Sequence, residues 1–266
     1  MPAPRLAIQD DGDGTPVVLL HGLTATRRYV VMGSKWLERN GHRVVAYDAR
    51  GHGASEPAPA PDAYGYADLA GDLARVLDDC GVDSAVIAGA SMGAHTALRF
   101  ALDAPDRVRG LVVITPAFTP DGLEPDRLER WDRLSDGLRS GGVEGFLEAY
   151  GRPPVPDAWQ DTVARVLRQR LSAHEHPEAV ADALRAVPRS DVFESWDELG
   201  RIRAPTVVVA SRDEADPEHP YATAVSYCEA IPGARLVSED EGQSPLAWQG
   251  GQLSKVIAEV AAEAVG

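Results

Sequence analysis

The feature that most constrains the fold is a series of short, continuous apolar runs separated by longer amphipathic stretches. The amphipathic stretches include predicted helices at 66–80 and 91–103. Six apolar runs, rich in β-branched residues, are predicted strands: 15–22, 42–49, 83–90, 109–116, 204–211 and 234–240. Strands that are apolar throughout are typical of a sheet covered on both faces. The sequence therefore predicts an α/β fold with a doubly wound, mostly parallel sheet.

One long segment interrupts this alternation. Residues 117–200 contain helical patterns separated by "GRPPVP" and no convincing strand. Ligands of such a fold bind at the carboxyl ends of the strands, and a helical insertion between two strands lies over one end of the sheet. We therefore predict a helical lid at 117–200 and a core made of 1–116 and 201–266.

Composition limits the classes of partner. The 266 residues carry a formal net charge of −15, which argues against nucleic acid and anionic membranes, because both require a basic surface. The first apolar run is too short for a signal peptide and no stretch approaches a membrane span, so a cytoplasmic protein is expected. No phosphate- or dinucleotide-binding glycine loop and no cluster of metal ligands is present. We expect a small-molecule substrate without cofactor or metal, and the oligomeric state stays open.

The sequence "GASMG", residues 89–93, is the motif that carries chemistry. It follows a predicted strand directly and precedes a predicted helix directly. A chain that turns this sharply needs small residues on either side of the central serine, whose hydroxyl is left exposed at the tip of a strained turn. Ser91 is therefore a candidate nucleophile.

With this motif the chain resembles the α/β-hydrolase superfamily, in particular its esterases, lipases and haloperoxidase-like members. The resemblance spans nearly the whole chain and is carried by an ordered set of motifs: "VVLLHGL", "YDARGHGAS", "GASMG", "APTVVVAS" and "AIPGARL". It implies about seven strands, without the first strand of the usual eight, and a lid after the sixth family strand. It also implies an oxyanion hole formed by the backbone amides of Leu23 and Met92.

The acid that the resemblance implies follows the strand "PTVVVA", where three carboxylates are available. Counting from the strand favours Asp213 or Glu214, whereas the Asp-Pro pair and the distance to "AIPGARL" favour Asp216. We favour Asp216 over Asp213, with Glu214 third. The carboxylates that are not the acid are expected to be solvated or to cap a helix.

The base that the resemblance implies should follow the last strand, in a loop that commonly reads Gly-His. Here the matching pair is Gly242-Gln243. Gln243 can hydrogen-bond a serine but cannot take its proton. His219, in the loop of the acid, is a possible substitute, although a surface position beside Pro220 is the favoured interpretation. The remaining histidines are interpreted as structural (His21, His52), as a surface residue (His42), as a satisfied core or edge residue (His95) or as lying at a solvated helix end (His174, His176).

Three functions are consistent with this pattern. The favoured one is a serine hydrolase with an atypical or missing base, acting on an ester, lactone or thioester of a small to medium apolar molecule. The second is a non-hydrolytic isomerase, cyclase or lyase on the same scaffold. The third is a catalytically silent ligand-binding protein or an inactivated variant, because fold alone does not decide function.

Overall fold

The computed structural model describes residues 3–153, 155–212, 216, 218–241 and 243–264. Its centre is one sheet. The seven strands within these residues are β1 (Ile8–Asp11), β2 (Thr15–Leu20), β3 (His42–Tyr47), β4 (Ala85–Ala90), β5 (Val108–Ile114), β6 (Thr206–Val209) and β7 (Arg235–Val237). Their order across the sheet is β1-β3-β2-β4-β5-β6-β7. Only β1 is antiparallel to its neighbour, β3, and all other pairs are parallel, which confirms the predicted mostly parallel sheet.

Five helices of the described residues flank the sheet. Three precede the helical segment described in the next paragraph: α1 (Trp36–Arg39), α2 (Tyr66–Asp79) and α3 (Met92–Asp103). Two follow it: α7 (Tyr221–Ala230) and α8 (Gly250–Glu263). Alternate residues of the strands face opposite sides. In β2, Val18 packs in the apolar cluster with α2, α3 and α7, whereas Val17 packs in the cluster with α1 and α8. Because both faces are covered, consecutive residues of the central strands are apolar and buried, as in Val17–Leu20 of β2 and Ala85–Ala88 of β4. The edge strand β1 is largely polar.

Three helices lie between β5 and β6, within the helical segment of residues 117–200. They are α4 (Pro125–Tyr150), α5 (Gln160–Leu171) and α6 (Pro177–Ala186). Helix α4 is kinked at Gly142, which has a φ of 59°, a conformation that glycine adopts readily. The segment has its own apolar cluster, which includes Leu138, Phe146 and Leu184. Although α4 has 26 residues, none of the described helices is long and apolar enough to cross a membrane.

His174 joins the helical segment to the core. The side chain is buried; its Nδ1 accepts the amide of Gly53 at 2.8 Å, and its Nε2 lies 3.3 Å from the carbonyl oxygen of Thr24. Because the Gly53 amide makes Nδ1 an acceptor, Nε2 is the nitrogen that donates. The interpretation of His174 as a solvated helix-end residue is therefore wrong, since its two ring nitrogens serve backbone groups of the core.

Candidate active site

Ser91 lies at the sharp turn between β4 and α3. Its φ of 51° and ψ of −114° are unusual for a residue with a side chain. The flanking glycines make the turn possible. A Cβ on Gly89 would overlap the carbonyl oxygen of Gly93, and a Cβ on Gly93 would overlap that of Leu20. The strand, the helix and the two glycines together expose Ser91 to a cavity at the carboxyl end of the sheet.

A chain of hydrogen bonds runs from Ser91 through His219 to Asp216. His219 Nε2 lies 2.9 Å from Ser91 Oγ. His219 Nδ1 lies 2.8 Å from each carboxylate oxygen of Asp216. Because an ionised carboxylate only accepts, Nδ1 carries the ring proton and Nε2 is left to accept the proton of the serine hydroxyl. This geometry is that of a nucleophile, a general base and an orienting acid.

The electrostatics of Asp216 suit the role of the acid. Burial raises the pKa of its carboxyl, but the hydrogen bond and charge interaction with His219 and the positive charge of Arg170 outweigh it. The pKa of Asp216 therefore lies below its ordinary value, and the carboxylate is ionised at neutral pH. An ionised Asp216 stabilises the imidazolium that forms when His219 takes a proton.

The interpretation of His219 as a surface residue is wrong. Only 19% of its side chain is exposed, and both ring nitrogens make hydrogen bonds within the protein. The physical reason is the spacing of Asp216 and His219, which are three residues apart in a turn where the His219 amide approaches the Asp216 carbonyl oxygen at 3.4 Å. The other candidate acids, Asp213 and Glu214, lie outside the described residues.

Gln243 is on the wall of the same cavity but away from this hydrogen-bond chain. Its side chain is exposed, and its backbone N–H donates to the carbonyl oxygen of Asp240 at 3.0 Å. Within the described part of the chain, the hydroxyl of Ser91 has His219 as its hydrogen-bond partner. Gln243 therefore lies in a turn and makes no hydrogen bond to Ser91 among the described residues.

The backbone amides of Leu23 and Met92 flank Ser91, and both residues line the cavity. Met92 is the first residue of α3, so its amide has no partner within the helix, and the helix dipole favours negative charge there. Within the described residues, neither amide donates to another group. Two unpaired donors beside a serine hydroxyl can hold an oxyanion.

Two buried histidines hold the loop that carries Leu23. His52 Nε2 lies 2.6 Å from the Leu23 carbonyl oxygen. His21 Nε2 accepts the amide of Ala49 at 2.9 Å, and its Nδ1 donates to the carbonyl oxygen of Gly22 at 2.8 Å. Burial, with the neighbouring charge of His52, lowers the pKa of His21 well below its ordinary value. Both side chains are therefore structural, as the sequence indicated.

His95, one turn along α3 from Ser91, is a neutral buried histidine. Its Nε2 accepts the amides of Ala117 and Phe118 at 3.0 and 3.1 Å, so its Nδ1 donates to the Tyr66 hydroxyl at 2.9 Å. Burial, followed by the nearby charge of His219, lowers the pKa of His95 to about 3. A histidine with both nitrogens occupied inside the protein cannot serve as the base for Ser91.

The cavity above Ser91 has a volume of about 1350 Å³. The core contributes Ser91, Asp216 and His219 to the cavity wall. The helical segment contributes much of the rest of the wall, including Leu128, Trp131 and Leu167. A wall of this kind, apolar with a few convergent polar groups, suits a small organic ligand.

Sequence reasoning missed one residue that shapes the site. Glu239 is buried directly after β7, where its Oε1 accepts the amide of Arg212 and its Oε2 accepts the amide of Leu246 at 3.1 Å. It thereby connects the loop after β6 with the loop after β7. A carboxylate two residues past the end of the last strand is a weak signal, because most such residues are solvated.

Comparisons with known proteins agree with this geometry. The family model for the alpha/beta hydrolase fold matches residues 15–246. A relative from Azorhizobium caulinodans named "Putative carbamate hydrolase RutD" is 28% identical over 232 residues, covering 87% of this chain and 84% of the relative. A second protein of that name, from Variovorax paradoxus, is 30% identical and covers 78% of this chain and 77% of its own. A thermophilic esterase from Thermogutta terrifontis, solved with malate bound, superimposes with a TM-score of 0.80 at 26% identity, covering 98% of this chain and 94% of its own.

Proposed function

Because the chain belongs to the α/β-hydrolase fold family, we propose that it is a serine hydrolase that cleaves a carboxylic ester, lactone or thioester of a small to medium, largely apolar molecule. The observation that carries the proposal is the hydrogen-bond chain from Ser91 through His219 to Asp216. The structural similarity to an esterase at 26% identity supports an ester as the first substrate to test.

In the proposed reaction Ser91 is the nucleophile. Its Oγ attacks the carbonyl carbon of the substrate while His219 Nε2 takes the hydroxyl proton. Asp216 holds the imidazole in the productive tautomer and stabilises the imidazolium. The carbonyl oxygen becomes negative as the tetrahedral intermediate forms, and it accepts hydrogen bonds from the two amides of the oxyanion hole.

The intermediate collapses when the bond from the acyl carbon to the leaving oxygen or sulfur breaks. His219 gives its proton to this leaving atom, which becomes an alcohol or thiol and leaves an acyl-enzyme on Ser91. The alcohol of an ester or the thiol of a thioester departs, whereas the alcohol of a lactone stays attached to the acyl chain. Water then attacks the acyl carbon and His219 takes its proton. The second collapse returns that proton to Ser91 and releases the carboxylic acid.

We assign the helical segment the role of a lid over this site. Its side chains form much of the cavity wall above Ser91, and His174 connects it to the loop that carries the oxyanion hole. A lid that excludes water strengthens the hydrogen bonds to the developing oxyanion.

A carbamate is the second candidate substrate, because the relatives from Azorhizobium and Variovorax are named as carbamate hydrolases. Its acyl carbon can react by the same steps. The purely ligand-binding function is less favoured, because it requires no base placed to take the proton of Ser91. A non-hydrolytic reaction can use the same serine and base, but the carbamate hydrolase names of the two relatives and the similarity to an esterase favour hydrolysis.

The test uses turnover of 4-nitrophenyl butyrate and labelling by a fluorophosphonate. We expect the native protein to hydrolyse the ester and to acquire one phosphonyl group. Changing Ser91→Ala should abolish labelling and lower kcat by a factor on the order of 10⁴ to 10⁶, because the attacking atom is removed.

Ser244→Ala is the matched control, since Ser244 lies on the same cavity wall and its side chain makes no hydrogen bond to the site. This variant should be labelled and should turn over the ester at close to the native rate. Native-level, phosphonate-insensitive turnover by the Ser91→Ala variant would contradict the proposal.

A further inference from the structure

Arg170, on α5, brings an unpaired guanidinium to the cavity wall. Its Nε is buried without a hydrogen-bond partner, and no carboxylate of the described residues forms an ion pair with it. Three other arginines of the wall form ion pairs, Arg127 and Arg130 with Glu218 and Arg189 with Asp132. The fourth, Arg212, is exposed and donates to the Tyr221 hydroxyl. In a chain with 41 acidic residues and 26 basic ones, an arginine left without an acid inside a cavity is unusual, because buried charges are normally paired.

Two aromatic rings hold the guanidinium in place. The Cζ atom of Arg170 lies 5.5 Å from the ring centroid of Tyr29 and 5.7 Å from that of Trp248. Rings attract the cation through their faces but do not satisfy its N–H donors, which point outward in the guanidinium plane. The arginine is therefore positioned while its hydrogen-bonding edge stays available.

The charge of Arg170 acts on the catalytic site. It lowers the pKa of Asp216, and it is among the charges that lower the pKa of His21 and His174. Asp216 interacts with Arg170 through charge alone, because no ion pair or hydrogen bond joins the two side chains among the described residues. Burial lowers the pKa of the guanidinium itself, but an arginine keeps its proton at neutral pH.

We propose that Arg170 binds a carboxylate of the substrate, so that the preferred substrates are esters or thioesters that also carry a free carboxylate. This inference rests on the proposed hydrolase function. A carboxylate matches the guanidinium fork with two parallel hydrogen bonds, and it supplies an anion to a guanidinium for which the described residues provide none. Arg170 and Ser91 line one cavity, so one small molecule can present its carboxylate to the first and its acyl carbon to the second.

The first experiment compares two esters of similar size, mono-4-nitrophenyl glutarate, which is an anion, and 4-nitrophenyl pentanoate, which is neutral. The native protein should have the lower KM for the anionic ester. Arg170→Gln should raise that KM about 10- to 100-fold, as expected when a hydrogen bond to a charged group is lost. The rise in KM for the neutral ester should be at least tenfold smaller, because that ester has no carboxylate to bind.

Arg165→Gln is the matched control, since Arg165 lies on the same helix but is exposed and outside the cavity. Arg170→Lys keeps the charge and loses the fork, so its KM for the anionic ester should fall between those of the native and Arg170→Gln proteins. It also replaces Arg170→Gln if the latter fails to fold, which circular dichroism will show. An equal rise in KM for the two esters would overturn the inference and would show that Arg170 acts on turnover through Asp216 instead.

The second experiment measures binding without turnover. Calorimetry with glutarate on the Ser91→Ala protein should detect binding that weakens at least tenfold when Arg170→Gln is added, whereas glutaramide, which is neutral, should show no such dependence. Glutarate binding that is independent of Arg170 overturns the inference and leaves the proposed hydrolase intact. Binding that depends on Arg170 in a protein whose ester turnover does not depend on Ser91 overturns the proposed function instead.

Discussion

Two loops follow the last two strands of the sheet and differ in what they supply. The loop between β6 and α7 carries Asp216 and His219, whose side chains form a hydrogen-bond chain ending at Ser91. The loop between β7 and α8 carries Gln243, which is exposed, and Glu239, which is buried and accepts amides from both loops. The first loop therefore contributes the two side chains that are hydrogen-bonded in series to Ser91, and the second loop is hydrogen-bonded to the first through Glu239.

Under the proposed function, the base comes from a different loop than the family resemblance implies, and its imidazole still reaches Ser91. What Ser91 needs is an imidazole nitrogen at hydrogen-bond distance, and an acid on the other ring nitrogen to fix the tautomer. When both residues belong to one turn, their mutual geometry depends on a single loop. The position of that loop then depends on contacts such as the one from Glu239.

The largest expected effect separates the two loops directly. His219→Ala should lower kcat for 4-nitrophenyl butyrate by about 10³- to 10⁶-fold, because the only base that contacts Ser91 among the described residues is removed. Gln243→Ala should change kcat by less than about twofold, which is within the range of a neutral surface change. Melting curves of both variants serve as the folding control. A loss in the Gln243→Ala protein as large as that in His219→Ala would show that the β7 loop contributes to turnover as much as His219 does and would contradict the comparison.

An intermediate effect is expected at Glu239. Glu239→Gln leaves one oxygen to accept two amides, so one buried donor loses its partner and the free energy of unfolding should fall by about 1–3 kcal/mol. Ester turnover should fall several-fold, because the loop of Asp216 and His219 is held less firmly.

The matched control for this prediction is Glu241→Gln, which changes an exposed carboxylate in the same loop and should alter stability by no more than about 0.5 kcal/mol. Urea denaturation measures both variants. Equal stability of the two would show that Glu239 does not hold the neighbouring loop.

Much of the fold was predictable because six of the seven described strands leave an apolar run in the sequence; only β1, which is largely polar, does not. The apolar runs at 15–22 and 42–49 correspond to β2 and β3, which end two residues earlier than the runs do. Ser91 was also predictable, because the steric demand of its turn is expressed in the glycines on either side.

The base was not predictable in the same way. The direction of the His219 side chain depends on how the loop after β6 turns, and no periodicity encodes such a turn. The resemblance to the family drew attention to Gln243, although the three-residue spacing of Asp216 and His219 was visible in the chain. Arg170 left no signal either, since an arginine on an amphipathic helix is ordinarily solvated and only the packing of Tyr29 and Trp248 around it reveals its position.

The smallest expected effect comes from giving the β7 loop a histidine. With His219 in place, Gln243→His should change ester turnover by less than about threefold, because the hydroxyl of Ser91 already donates to an imidazole. In the His219→Ala protein the same change should raise turnover less than tenfold. The carboxylate of Asp216 faces position 219, so no acid is placed to fix the tautomer of an imidazole at position 243. Single-turnover assays of the paired variants measure the restoration. A recovery of 100-fold or more, the scale of a working general base, would show that the β7 loop can still place a base beside Ser91 and that the two loops are interchangeable.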